Sequence, residues 1–242
     1  MLEVKNVSYH YENHDVLRDI SLYVGQGETI AILGRSGVGK TTLFNLIAGV
    51  LAPQSGTIQI NGDPNIQGKV SYMLQKDMLL PHKSILENIM LPRLIAEEKT
   101  KDAQAKAYQL LENFKLNQWA DYYPKALSGG MRQRIALLRT TAFGREWLLL
   151  DEAFSALDAM TRRSLHRWFI NYRKEMHISS LLITHDIDEA ILLADRVYVI
   201  AGQPGQIIET LEINLPEADI DTQIFQPEFL AYKRTLLDLL DA

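Results

Sequence analysis

Residues 34–41 read Gly-Arg-Ser-Gly-Val-Gly-Lys-Thr, between a short apolar run at 29–33 and a stretch, 40–50, whose Leu43, Phe44, Leu46 and Ile47 recur at helical spacing. Glycines at fixed positions followed by Lys-Thr, flanked by a strand and a helix start, form the phosphate-loop pattern and commit this part of the chain to a strand–loop–helix unit of an α/β fold. The backbone carries the chemistry. Gly34, Gly37 and Gly39 let successive N–H groups turn inward on β- and γ-phosphates, and the helix start adds its positive partial charge. Lys40 brings an ammonium to the phosphates and Thr41 a hydroxyl to Mg²⁺. Arg35, Ser36, Val38 and the following Thr42 complete the candidate phosphate-binding set.

A loop that holds a triphosphate needs a second strand bearing a carboxylate, and Leu148-Leu-Leu-Asp151-Glu152 supplies an apolar strand ending in two acids. Asp151 would hold the magnesium through water, and Glu152 would orient or deprotonate the attacking water as general base. These two elements fit a kinase or a GTPase equally well. Leu127-Ser128-Gly129-Gly130-Met131, followed by Arg132-Gln133-Arg134, reads as a second anion-ready helix start with Ser128 as N-cap.

The remaining sequence organises around these motifs. Residues 2–33 are rich in β-formers, and Thr57 to Ile60, 70–74, 147–150, 181–184 and 197–200 read as further short strands. Helical periodicity dominates 76–146, notably 101–114 and 131–142, and returns at 160–176 and 187–194. No repeat, low-complexity tract or long linker divides the 242 residues, so the chain reads as one core with an inserted helical lobe. With 25 Lys+Arg against 30 Asp+Glu there is no global basic field to hold nucleic acid. The lack of cysteine removes disulfide scaffolds and thiol chemistry. The N-terminus lacks the order of a secretory signal and no apolar stretch approaches the roughly 20 residues needed to cross a bilayer, so an intracellular location with any membrane role through a partner is expected.

Leu-Ser-Gly-Gly with Arg-Gln-Arg ahead of the Leu-Leu-Leu-Asp-Glu strand resembles the signature of ATP-binding-cassette (ABC) ATPases. The resemblance runs from about Leu2 to Leu240. It implies a phosphate-loop NTPase core with a mixed β-sheet, an N-terminal antiparallel β subdomain and an inserted α-helical subdomain. In that arrangement 1–75 and 147–242 form the core with the antiparallel part, 76–146 the lobe bearing the signature, and 225–242 a short C-terminal helix. Gln75 matches the family's Q-loop, which touches Mg²⁺ and the attacking water; His185, in Ile183-Thr-His-Asp, matches the switch histidine at the γ-phosphate. Ser155-Ala156-Leu157-Asp158 matches the loop that crosses between paired subunits, and Tyr11, 23 positions before Gly34, the aromatic that stacks on adenine.

The implied cofactors are ATP and Mg²⁺. The implied assembly is a head-to-tail homodimer in which Lys40 of one copy and Ser128, Gly129 and Gly130 of the other enclose one ATP. It docks through the groove near Gln75 and residues 77–88 on integral-membrane permease subunits at the cytoplasmic face, with an extracytoplasmic solute-binding protein in the same system. Phe225-Gln-Pro-Glu-Phe-Leu and Tyr232-Lys-Arg-Thr-Leu-Leu, with Leu79-Leu-Pro, Leu86-Glu-Asn and Asp158-Ala-Met-Thr-Arg, look closest to the nitrate, sulfonate and taurine importer group. Ala153, His82 and Thr140-Thr141 depart from that group's usual residues, none at a phosphate-contacting position. The alternative is a soluble, non-transport ABC ATPase; long coiled-coil insertions of the DNA-repair kind and a second cassette of the translation kind are absent from the sequence. A phosphate-loop small-molecule kinase has no reason to carry the signature or His185.

Overall fold

The computed structural model describes residues 1–12, 14–155, 157–216 and 219–241. Strands β1 (Leu2–Tyr11) and β2 (His14–Val24) form an antiparallel pair, β3 (Thr29–Leu33) enters a second sheet, and α1 (Lys40–Ile47) follows the phosphate loop. β4 (Ser55–Ile60) returns to the free edge of β1, giving a three-stranded antiparallel sheet in the order β2-β1-β4. β5 (Val70–Met73), β6 (Trp147–Asp151), β7 (Ser179–Thr184), β8 (Arg196–Ala201) and β9 (Gln206–Glu212) join β3 in a six-stranded sheet of order β5-β6-β7-β3-β8-β9. Only β9 runs antiparallel to its neighbour, so the sheet is mixed. Every residue of β3, β6 and β7 is buried, as central parallel strands covered on both faces require, which is why these segments read as unbroken apolar runs rather than alternating ones.

This strand order positions the site. Because β5, β6, β7 and β3 are parallel neighbours, the residues that leave their C-terminal ends gather along one edge of the sheet. Those residues are Gln75, Asp151 with Glu152, His185 and the phosphate loop.

The helices are α2 (Ile85–Ile95), α3 (Thr100–Asn113), α4 (Gly129–Thr141), α5 (Ala159–Met176), α6 (Ile187–Leu193), α7 (Ile220–Gln223) and α8 (Pro227–Asp241). One apolar cluster fills the space between the two sheets and α1, centred on Phe44, Leu46 and Ile32. A second joins α2, α3 and α4 (Ile89, Leu111, Ile135) to the other face of the large sheet (Leu148, Leu150) and to Phe169 of α5. A third lies under α6 and α8, around Leu33, Ile191, Phe229 and Leu236. The helical lobe is therefore packed on the same cluster as the sheet, and each fully buried Phe there contributes about 1.5–3 kcal/mol.

Two elements differ from the sequence expectation, and α2, inside the stretch expected to be helical, carries a proline. The helix expected over 40–50 stops at Ile47, because Gly49 turns the chain at φ +72°. α2 carries Pro92 and so breaks the spacing that marks a helix, yet it is fixed by a capping box between Ser84 and Glu87 and by the fully buried Asn88, whose amide donates to the Leu80, Lys83 and Ser84 carbonyls. β9 is short of apolar residues because it is a sheet edge, and it gave no strand signal. The buried hydroxyls of Thr140 and Thr141 are satisfied at 2.9 Å by the Ala136 and Leu138 carbonyls, so these departures from the importer pattern cost no unpaired polar group.

Candidate functional site

The phosphate loop leaves β3 at Gly34, where a Cβ would stand 2.4 Å from the Ile200 carbonyl oxygen, so only glycine lets the loop pass so close to β8. Gly39, at φ +102°, caps α1 with no side-chain hydrogen bond, which leaves the first-turn N–H groups facing outward for a ligand. Tyr11, Ser36, Gly37, Val38, Gly39, Lys40, Thr41, Thr42, Gln75, Asp151 and Glu152 line a single cavity of about 430 Å³. Arg35 lies on the loop's outer side, 3.9 Å from Asp241 at the end of α8.

Within this cavity the contacts are specific. The Lys40 ammonium is buried and donates to the carbonyls of Gly34 (2.6 Å) and Arg35 (2.8 Å), held by the loop itself. Burial lowers its pKa, opposed by the charges of Glu152 and Asp151. The Thr41 hydroxyl donates to Asp151 Oδ2 at 3.2 Å. Burial raises the pKa of Asp151, with the adjacent Glu152 charge adding and the Thr41 hydrogen bond and Lys40 opposing. Two carboxylates facing one ammonium leave the protein's own groups at this site one positive charge short. The donor set beside it, a hydroxyl and a carboxylate with the Gln75 amide near, is the hard-oxygen kind that suits Mg²⁺ shared with substrate phosphates.

Glu152 is clamped from both sides. Gln75 Nε2 donates to Oε2 at 2.8 Å, and His185 Nδ1 lies 3.3 Å from Oε1. Its backbone sits in the left-handed region at φ +47°, costing roughly 1 kcal/mol in a non-glycine residue, so the surrounding contacts rather than local preference fix its direction. The structure thus brings Gln75, Asp151, Glu152 and His185 together, as expected. It does not bring Ser128, Gly129 and Gly130 to them: none lines the cavity. Ser128 N-caps α4, accepting from the Met131 N–H at 3.3 Å, and is exposed with Gly129. Of the expected subunit-crossing loop, Ser155, Leu157 and Asp158 are described and Ala156 lies outside the described residues.

Sequence reasoning missed three features. His14 and the turn Gly202-Gln203-Pro204-Gly205 form the cavity's wall beside Tyr11. A Cβ on Gly205 would meet the Val38 carbonyl at 2.2 Å, so the turn presses on the loop, but its glycines gave no signal without β9. Arg132 and Arg139 of α4 hold the segment after Gln75, Arg132 pairing with Asp77 at 2.9 Å and Arg139 donating to the carbonyls of Met78 and Asp77. A larger cavity, about 670 Å³, lies between α5 and α7, yet it carries no phosphate-binding backbone and no acid pair on a strand end.

A strand–glycine loop–helix unit, with two acids at the end of a parallel strand of the same sheet, one strand removed, and a lysine facing them, defines a phosphate-loop NTPase. A family model described as ABC transporter matches residues 17–155, and the chain belongs to that family, whose members are ATPases that bind ATP. It is 42% identical over 205 residues to the formylaminopyrimidine import ATP-binding protein ThiZ of Halalkalibacterium halodurans, covering 84% of this chain and 81% of that one. It is 40% identical over 216 residues to the aliphatic sulfonates import ATP-binding protein SsuB 1 of Shouchella clausii, covering 89% and 82%. Among solved structures it resembles the ATP-binding cassette MJ0796, a dimer in a post-hydrolysis state bound to ADP and Pi, with a TM-score of 0.78 and 26% identity over 88% of this chain and 99% of that one.

Proposed function

We propose that this chain is the ATP-hydrolysing subunit of an importer for a small organic solute, working as a head-to-tail pair. The observation that carries the reading is the division of the site: the phosphate loop and its acids share one cavity, while the signature start at Ser128 is exposed and outside it. A partner's signature would close each cavity, so every ATP lies between two copies. In domain terms, 1–75 with 147–242 form the nucleotide-binding core and 76–146 the lobe that presents the signature.

On binding, the phosphates of ATP replace the Gly34 and Arg35 carbonyls as partners of Lys40, the loop N–H groups cradle them, and Tyr11 stacks on the adenine. Thr41 and Asp151 would hold Mg²⁺, which when bound neutralises phosphate charge. Gln75 and His185 keep the Glu152 carboxylate aimed, and Glu152 accepts the proton of the attacking water. Residues 77–88, which α4 grips through Arg132 and Arg139, would meet the permease, and the exposed Leu74, Met78 and Phe143 beside them supply apolar contact. Among the described residues no helix is long and apolar enough to cross a membrane, which fits a peripheral subunit on the cytoplasmic side of such a permease.

The test is complementation. Chains with Lys40→Ala and chains with Ser128→Arg should each be inactive as homodimers, whereas a mixture regains ATPase activity because the heterodimer holds one intact site. A fully active Ser128→Arg homodimer would falsify the composite site.

A further inference from the structure

A chain of polar contacts runs from Leu157 through Arg162 to Asp186, next to His185, and ATP hydrolysis by Glu152 does not use it. Arg162, in the first turn of α5, donates from Nη2 to the Leu157 carbonyl at 3.0 Å and from Nη1 to Asp186 Oδ2 at 3.3 Å. Asp186 directly follows His185. Its other carboxylate oxygen caps α6 by accepting from the Glu189 N–H at 3.1 Å, and its own N–H donates to the Thr184 hydroxyl at 3.0 Å. Glu189 then meets His166 Nε2 at 3.0 Å, one turn beyond Arg162 on the same face of α5, with both side chains buried.

The His166 ring stands edge-on to Phe154, centroids 4.8 Å apart, and the Phe154 carbonyl accepts from the Leu157 N–H at 3.3 Å. Phe154 lies two residues after Glu152, whose N–H is itself tied to the Ile183 carbonyl at 2.9 Å. The contacts therefore form a closed circuit with a catalytic group at each side.

The circuit supplies something the site lacks. The His185 side chain is 58% exposed and its one contact with Glu152 is a long hydrogen-bond distance of 3.3 Å, so the ring alone does not fix where its backbone stands. Asp186 fixes it, and Arg162 decides where Asp186 stands relative to Leu157. A guanidinium is a rigid planar fork, so holding a carbonyl and a carboxylate in one plane sets the distance between two backbone segments in a way that a flexible ammonium cannot.

We propose that Arg162 is a positioning residue: by bridging the Leu157 carbonyl and the Asp186 carboxylate it locks the segment at Leu157 and Asp158 to His185, so that contact with a second copy and the aim of the Glu152–His185 pair are set together. The inference rests on the reading of His185 and the paired chains given above. Steady-state ATP hydrolysis by the full chain tests it. Arg162→Ala should lower kcat at least about tenfold while the KM for ATP stays within about twofold, as for an interaction that matters in the transition state and not in ground-state binding. Arg162→Lys, which keeps the charge and reaches one partner at a time, should recover part of the loss. Asp186→Asn should lower kcat by a smaller factor, and the Arg162→Ala/Asp186→Asn double variant should be no slower than Arg162→Ala alone.

A kcat for Arg162→Ala within twofold of wild type, or single effects that multiply in the double variant, overturns the proposal. If Arg162→Ala fails to fold, Arg162→Lys and Asp186→Asn decide, and an unchanged kcat in both overturns it equally. His185→Ala separates the two readings. Wild-type hydrolysis by that variant sinks the site assignment, whereas its loss beside an unaffected Arg162→Ala sinks only the inference drawn here.

Discussion

The starts of α1 and α4 are two versions of one device. Both are glycine-rich turns into a helix, and neither has an acid in its first turn, so each offers N–H groups and a positive dipole end to an anion. They differ in what surrounds them. The α1 start has no side-chain cap, has a buried lysine at its first position, and opens into a walled cavity. The α4 start already spends the Met131 N–H on its own Ser128 hydroxyl and faces solvent, where water screens its field. The lesson is that the same local chemistry becomes a site only where other elements enclose it, and the α4 start has no such enclosure among the described residues of its own chain.

The largest effect should come from the enclosed region. Glu152→Gln keeps the shape between Gln75 and His185 but removes the base, so hydrolysis should fall by roughly two to four orders of magnitude while ATP binding persists. Size-exclusion chromatography with ATP should then show an accumulated dimer. Full activity would move the base elsewhere and leave the enclosed region with no chemical advantage.

At the other start, Gly130→Asp adds a carboxylate where a phosphate must approach. Its Cβ would press on the end of the Leu157 side chain at 3.3 Å, a contact that a shift of a few tenths of an ångström relieves. Turnover should drop about a hundredfold with ATP affinity unchanged, as for loss of one preorganised donor. If nucleotide affinity of the isolated chain falls instead, α4 serves its own cavity and the contrast collapses.

Lys40→Ala sharpens the same contrast from the binding side. Hydrogen bonds to a charged group are worth about 1.5–3 kcal/mol, so ATP affinity should weaken at least about tenfold in equilibrium titration. Equal affinities would remove the ammonium from phosphate binding.

The smallest effect concerns stability. The folded chain holds the Asp151 proton more tightly than an unfolded one, so that position's contribution declines as pH rises above the ordinary carboxylate range toward the raised folded value. Asp151→Asn should accordingly raise the melting temperature of the nucleotide-free chain at neutral pH, with the gain shrinking in acid. A melting temperature lowered at neutral pH would show that Lys40 and Thr41 more than offset the burial of that charge.

Much of this was legible in the sequence, and for identifiable reasons. The strands expected at 29–33, 147–150 and 181–184 are apolar runs bounded by motif residues, so their type was readable, whereas their order in the sheet was not. Phosphate-loop glycines are fixed by close approach, and the acids by the end of their strand, so both follow from local pattern. What escaped reading depends on pairing and side-chain contact rather than on apolar periodicity. β9 acquires its strand character from pairing with β8, α2 tolerates Pro92 because Asn88 and the capping box hold the surrounding backbone, and the grip of Arg132 and Arg139 on residues 77–78 bridges segments more than fifty positions apart. For the two arginines, no short window of sequence contains both partners.

The apolar cluster shared by α2, α3, α4 and the large sheet sets how force can travel through this molecule. A lobe with a separate interior, joined by a thin linker, would swing as a hinged door. Here Ile89, Leu111 and Ile135 belong to one continuous apolar cluster with Leu148, Leu150 and Phe169, so a wide swing would open voids in a close-packed interior. The low-cost motion is shear, a slide of packed helices over the sheet by a fraction of a side chain. Since α4 holds Asp77 and Met78 directly, a push delivered there would reach Ser128 as a short, stiff stroke rather than a large rotation.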